Sequence, residues 1–473
     1  MNKKRMLVAV ALIIVAVIVN SYVLFYREPL GNEKMDLCFT IHAEDDTSFQ
    51  IFYWNQEDPD GVSFIDRRSV IKDVKYDNDV DDVYTFSVPA DTTYIRFDAG
   101  SCETTSVISS VSVSYKGKIL DIPVSYLNDY VELKDAEVEY DEISDSISIE
   151  TKSDDSNIVY HITDWDGASI VKDYRETTKP WIIRIIKCLI IEFVFIMIFK
   201  NFEDLYEDIK RVVKNRKLIK QLSRNDFKTR YAASFFGIFW AFIQPLITVL
   251  VYWFVFEKGL KAGSQSLGSI DAPFLLFLIS GLVPWFFFSD ALNGATSALT
   301  SYTYLVKKVV FDIDILPLVK VLSSLYVHVF FMIMSIVICY GYGNRPTFII
   351  LQLVYYSVAL MALVIGLGYL TSAVVVFFRD LSEIINIILS IGVWVTPIMW
   401  NIETTVKSDA LKLIFQINPL YYIVQGYRDT LITGVWFWEH STLTIYYWVF
   451  TVIIFVLGKR TFTKLKVHFS DVL

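Results

Sequence analysis

Apolar positions follow two different rules along this chain. Eight stretches are apolar almost without interruption: Met6–Phe25, Trp181–Phe199, Gly237–Phe256, Phe274–Leu299, Leu316–Tyr340, Phe348–Phe378, Ile384–Trp400 and Leu443–Leu457. A helix needs about 20 such residues to cross the hydrocarbon core of a bilayer, so each is a candidate span. The first follows Lys3, Lys4 and Arg5, and no small-x-small cleavage site succeeds it. It therefore reads as a retained anchor rather than a signal peptide. Between the first two runs the rule changes. "TSFQIFYW", "VYTFSVP", "TTYIRFDAG", "SVISSVSVSY", "GKILDIPVSY", "SISIET" and "NIVYHIT" are short, rich in β-branched and aromatic residues, and separated by turn-forming "ADTT", "DAGS" and "YKGK". Several alternate with period two, which predicts an antiparallel β-sandwich.

The expected fold is thus a mostly α-helical polytopic membrane protein of about eight transmembrane helices, with an all-β sandwich inserted between helices one and two. Residues 1–25 form the first helix, 26–180 the β domain, 181–199 the second helix, 200–236 a linker with an amphipathic interface helix, and 237–473 a six-helix domain. Composition agrees, since 54% of the 473 residues are hydrophobic and 16% aromatic. The net charge of -9 conceals a division. Tyr26 to Pro180 holds 34 acidic against 14 basic residues, a net of -20, which leaves +11 for the rest. Positive residues in short flanks stay on the cytoplasmic side. Residues 2–5, the stretch Lys200–Arg230, Lys307 with Lys308, and the tail bearing Lys459, Arg460, Lys464 and Lys466 all fall on one side of an eight-span chain. Both termini are then expected in the cytoplasm and residues 26–180 outside.

Chemistry-bearing motifs are few. There is no G-x-x-x-x-G-K-[ST] phosphate loop, no H-E-x-x-H and no paired C-x-x-C, so neither nucleotide hydrolysis by that route nor a metal site is expected. Nothing points to nucleic acid. In the β domain a disulfide between Cys38 and Cys102 is chemically permitted. Tyr53, Trp54 and Trp165 are candidates for stacking on sugar rings, with core packing as the alternative for each. The apolar runs of the second half are nearly free of ionisable residues, unlike ion-driven transporters. Asp290 is the main exception, on a polar face with Ser289, Asn293, Thr296 and Ser297. That face either lines a passage or seals a helix pair.

Between linker and bundle, "RNDFKTRYAASFFGIFWAFIQPL" places Phe227, Tyr231 and Phe235 at i, i+4 and i+8 of a helix, with Lys228 and Arg230 flanking them. Such a segment lies in the membrane interface with its rings down, its start capped by Ser223, Asn225 or Asp226. A simple positive anchor is the alternative.

This segment closely resembles the entry segment of bacterial ABC-transporter permeases that export lipid-linked polysaccharides, of the O-antigen and teichoic-acid type. The likeness continues through "FLISGLVPWFFFSDALN", "YLVKKVVFDIDILPL", "FFRDL" and "INPLYYIVQGYRDTLI", in the family's order, from about Leu218 to the C terminus. It implies a homodimeric permease of six spans per chain, working with two copies of a separate ATPase that holds ATP and Mg, so that this chain is no enzyme and binds no cofactor. A lipid-pyrophosphate substrate would enter near Lys228, Arg230 and Tyr231. Trp285 and Asp290 would line the channel, with Tyr421 and Tyr422 near its exit. Lys307, Lys308, Phe311, Asp312 and Asp314 would dock the ATPase, although Asp312 stands where the family usually has proline. The first 200 residues lie outside the likeness, and the β domain resembles carbohydrate-binding domains. A membrane-embedded glycosyl- or acyltransferase, an exporter of another lipid or drug, and a sensor are the competing readings.

Overall fold

The computed structural model describes residues 3–25, 34–45, 47–54, 69–74, 82–100, 103–153, 155–165, 170–171, 178–232, 235–267, 270–307, 312–343, 348–406 and 408–473. They form two compact units, Leu24–Ile185, and Met1–Val23 together with Ile186–Leu473.

The first unit is the β-sandwich. Its strands are β1 (Lys34–Ala43), β2 (Thr47–Trp54), β3 (Ser69–Val74), β4 (Asp82–Pro89), β5 (Tyr94–Asp98), β6 (Thr105–Tyr115), β7 (Lys118–Ile122), β8 (Glu132–Lys134), β9 (Ala136–Asp141), β10 (Ser146–Thr151) and β11 (Asn157–His161). One sheet runs β4-β1-β6-β10-β9 with β7 also on β6, the other β3-β2-β5-β11-β8. All the paired strands are antiparallel. β6 and β7 join through Lys116 and Gly117, both at positive φ (48° and 82°), the backbone a two-residue hairpin of matching twist requires. Alternation buries Leu37, Phe39 and Ile41 from one sheet against Phe49, Ile51, Ile95 and Phe97 from the other. Phe97 stacks between Phe39 and Phe49 at 5.6 and 5.7 Å, so three rings tie the sheets together. Each such buried ring contributes about 2–3 kcal/mol.

The candidate residues of the β domain fall as follows. Trp165 is 2% exposed and packs on Tyr160 at 5.4 Å, so it belongs to the core and offers no face to a sugar. Tyr53 is half-buried against the same core. Trp54 lies parallel to Tyr94 at 5.4 Å, which occupies a ring face that a sugar would need. Cys38 is a free thiol in the middle of β1, its Sγ 3.5 Å from Thr85 Oγ1, and Cys102 lies outside the described residues.

In the second unit, five described helices are long and apolar enough to cross a bilayer: Gly237–Gly259, Phe274–Thr296, Ile313–Gly341, Phe348–Val375 and Ser441–Val472. Phe274–Thr296 is the central one, mostly buried among the others. Phe348–Val375 and Ser441–Val472 meet at glycines, where a Cβ on Gly458 would stand 2.2 Å from the Gly366 carbonyl oxygen. Small residues allow backbones to approach in this way. The expected run Ile384–Trp400 is interrupted. Its helix, Leu381–Val395, stops where Thr396 turns extended (ψ 129°) ahead of Pro397, which disfavours a helical predecessor. The expected second span falls in helix Thr178–Lys200, which carries Arg184, Lys187 and Glu192 and pairs with the first helix through Asn20 Nδ2 to Glu192 Oε1 at 2.6 Å. Two further helices follow it, Phe202–Lys214 and Arg216–Arg230, here called the connector and interface helices.

Candidate substrate cavity and its ion-paired end

A cavity of about 740 Å³ opens beside helix Phe274–Thr296. Leu282, Phe286, Ser289, Asp290 and Asn293 line it from that helix, at spacings that share one face over about 16 Å. Gln244 and Thr248 face them from Trp240–Trp253, Asn386 and Ser390 from Leu381–Val395, and Ser324 and His328 from Leu316–Gly341. The wall therefore mixes aromatic rings, aliphatic side chains such as Leu282, Val327 and Leu389, and uncharged polar groups, with a single carboxylate. Trp285 lines it, wedged against Gly392, where a Cβ would lie 2.8 Å from the indole. His328 gave no signal in the sequence. It is 2% exposed, and its Nε2 lies 3.0 Å from both Ser357 Oγ and Tyr427 Oη.

Asp290 on the cavity wall belongs to a cluster of ion pairs. Arg230 at the end of the interface helix donates Nη1 to both oxygens of Asp290 at 2.8 Å, and Nη2 to Asp226 at 3.3 Å. Asp226 in turn accepts from Lys320 Nζ at 2.7 Å and the Tyr302 hydroxyl at 2.9 Å. Its side chain is 7% exposed against 46% for Asp290. Burial works to raise the Asp226 carboxyl, but the Lys320 ammonium and the hydrogen bonds outweigh it and hold the group below its ordinary range. For Arg230, burial opposes the charge while the Asp290 and Asp226 carboxylates more than restore it.

This arrangement alters the reading of the entry segment. Arg230 does not project a free fork, since both carboxylates already hold it. The helix ends there, with Tyr231 as its C-cap residue (φ -117°, ψ 5°) lining the cavity and Phe235 97% exposed. Phe227, Tyr231 and Phe235 therefore do not share one continuous helix, although Phe227 and Tyr231 touch edge to face at 5.9 Å. The helix starts at Arg216, so neither Ser223, Asn225 nor Asp226 caps it. Lys228 is exposed beside this cluster.

A second network surrounds Asp314, 8% exposed, which binds Arg211, Lys459 at 3.3 Å and Lys466 at 2.6 Å. Arg211 also reaches Asp312 at 3.2 Å and Asp208 at 3.1 Å, and Lys459 reaches Asp208 at 2.8 Å. Asp314 is thus an internal hub and not a surface group for an ATPase, and Asp312 is tied to the connector helix. Lys307 is exposed, while Lys308 and Phe311 lie outside the described residues. Tyr421 and Tyr422 are 6% and 3% exposed. The Tyr422 hydroxyl bonds Tyr355 at 2.9 Å and its ring packs on Tyr447 and Tyr356, which places it in the core away from the cavity.

Residues 217–432 match the family model of the ABC-2 type transporter, a stretch containing the cavity and the Arg230 cluster. Residues 217–432 are an ABC-2 type transporter domain. The permease region is similar to an O-antigen export system permease protein RfbA of Myxococcus xanthus, 27% identical over 232 residues, which are 49% of this chain and 84% of that protein. It is likewise similar to an RfbA of Klebsiella pneumoniae, 25% identical over 257 residues, 54% of this chain and 95% of that one. The permease likeness accounts for about half of the chain, and the β-sandwich is additional to it.

Proposed function

We propose that this chain is the transmembrane subunit of an ATP-driven exporter that moves a lipid-pyrophosphate-linked polysaccharide, such as an O-antigen, teichoic acid or related cell-wall glycan, from the cytoplasm to the cell exterior. The observation that carries this reading is the cavity itself, lined by aromatic, aliphatic and uncharged polar side chains with one ion-paired carboxylate, Asp290, inside a domain whose relatives are O-antigen export permeases. A polymer that must slide is served by aromatic faces and short polar side chains, because neither commits it to a fixed register. Fixed charge along the wall would hold it. Lys228, exposed next to the cluster, and Tyr231 on the cavity wall receive the diphosphate, while Arg230 stays held by Asp290 and Asp226, and Trp285 and Asp290 contact the passing chain.

The working assembly is a homodimer with two copies of a separate ATPase that carries ATP and Mg. The exposed segment around Lys307 docks it, and Phe311 is the anchor. Both termini face the cytoplasm of a bacterial inner membrane, and residues 26–180 face outward and handle glycan. Purified permease with its ATPase tests this reading. ATP hydrolysis rises on addition of a lipid-diphosphate-linked glycan and not of the diphosphate lipid's neutral alcohol. Equal rates with both compounds refute it.

A further inference from the structure

We infer that the connector helix, Phe202–Lys214, lies on the membrane surface and binds phospholipid through an exposed apolar stripe of its own. The helix has three sides. Asp208 and Arg211 face the permease, where they join the Asp314 network. Glu207, Lys210 and Lys214 are exposed on a charged side. Between these sides stand Tyr206, Ile209 and Val213, 39%, 55% and 56% exposed. At about 100° per residue they fall within about 60° of one another. A water-facing side has no use for such a stripe, and the polar contacts of Asp208 and Arg211 prevent it from turning inward.

The direction of the helix comes from its polar contacts. Asn201 accepts from Arg460 at 3.1 Å, and Asp208 pairs with Lys459 at 2.8 Å. Two positions about 10 Å apart along a helix thus touch neighbouring side chains on Ser441–Leu465. The connector crosses that membrane-spanning helix rather than running beside it. Arg211 then reaches Asp312 and Asp314 at the start of the next span. The connector therefore passes across the ends of two spans at one depth, among basic residues. Lipid is the occupant this geometry fits. The helix follows Thr178–Lys200 after the single residue Asn201, and Lys210, Lys214, Arg216 and Lys217 are exposed to meet anionic headgroups. It lies before residue 217, outside the matched family region, and the inference rests on membrane placement alone, independent of the cargo.

The test is photo-crosslinking of the full chain in phosphatidylglycerol and phosphatidylethanolamine vesicles, with the ATPase subunit present. Benzoylphenylalanine replaces Ile209, Val213 or, as the control, Glu207, and adducts are identified by mass spectrometry. All three positions are exposed, so the larger ring displaces nothing. Lipid adducts several-fold more abundant at 209 and 213 than at 207 are expected. Adducts to the ATPase or to a second copy of the chain, or lipid adducts no more frequent than at 207, overturn the inference.

Discussion

Replacing Lys320 with methionine leaves the Asp226 carboxylate, 7% exposed, without its nearest cation. Breaking a buried pair from one side costs about 3–5 kcal/mol when the remaining charge has no other partner. Here Arg230 at 3.3 Å and the Tyr302 hydroxyl at 2.9 Å still bond to Asp226, so the expected cost is lower, about 2–3 kcal/mol. That is about a hundredfold in the folded-to-unfolded ratio. Asp290→Asn removes the other carboxylate of the same arginine, but that side chain is 46% exposed, and such a pair is worth about 0.2–1 kcal/mol. The double variant Asp226→Asn/Lys320→Met, with no buried charge left over, recovers much of the loss. Equilibrium unfolding of the purified chain in mixed micelles, followed by far-ultraviolet circular dichroism, measures all three. A Lys320→Met cost no larger than that of Asp290→Asn refutes the claim that Asp226 is the buried centre of this cluster.

The same carboxylate predicts a pH dependence. Its folded value lies below the ordinary one, so its contribution is fully present above about pH 4 and is lost as pH falls through the folded value; the stability gap between the native chain and Asp226→Asn should be constant from neutrality down to that point and close below it. At the glycine crossing, Gly458→Leu drives a side chain into the Gly366 carbonyl and should prevent the two helices from packing, read as loss of a monodisperse gel-filtration peak, whereas Gly263→Ala, with open space around it, should not. Gly392→Ala brings a methyl to 2.8 Å from the Trp285 ring and should shift that ring, lowering glycan-stimulated ATPase activity while the fold survives; unchanged stimulation would remove Trp285 from the path.

Much of this architecture is legible in local pattern. Short β-branched and aromatic runs between turn residues marked seven strands, and several of them, such as Tyr94–Asp98 and Ser146–Thr151, alternate in burial, whereas Asn157–His161 is buried at four successive positions. Strand β1, "KMDLCFTIHA", lies outside those seven runs although it alternates through all ten residues, with Met35, Leu37, Phe39, Ile41 and Ala43 buried. Run length located five helices long enough to span, out of eight expected, yet it cannot register that Pro397 ends a helix early. The site was legible in part. Trp285, Asp290 and Tyr231 do meet at one cavity. That Arg230 is held by Asp290, 60 residues away, and Asp314 by lysines about 150 residues away, is set by tertiary packing, and no spacing rule reaches it. Tyr421 and Tyr422 illustrate the converse, since an aromatic pair beside a helix start looks the same in sequence whether it faces a channel or a core.

Transport itself is the most direct test. The permease is reconstituted with its ATPase in vesicles, the lipid-linked glycan is placed in the leaflet facing the ATPase, and its arrival on the other side is followed by accessibility to an impermeant glycan-degrading enzyme. The account predicts arrival that requires ATP and stops with a hydrolysis-deficient ATPase. Glycan that stays in its original leaflet while an assembled complex hydrolyses ATP, or that crosses equally without ATP, would contradict it.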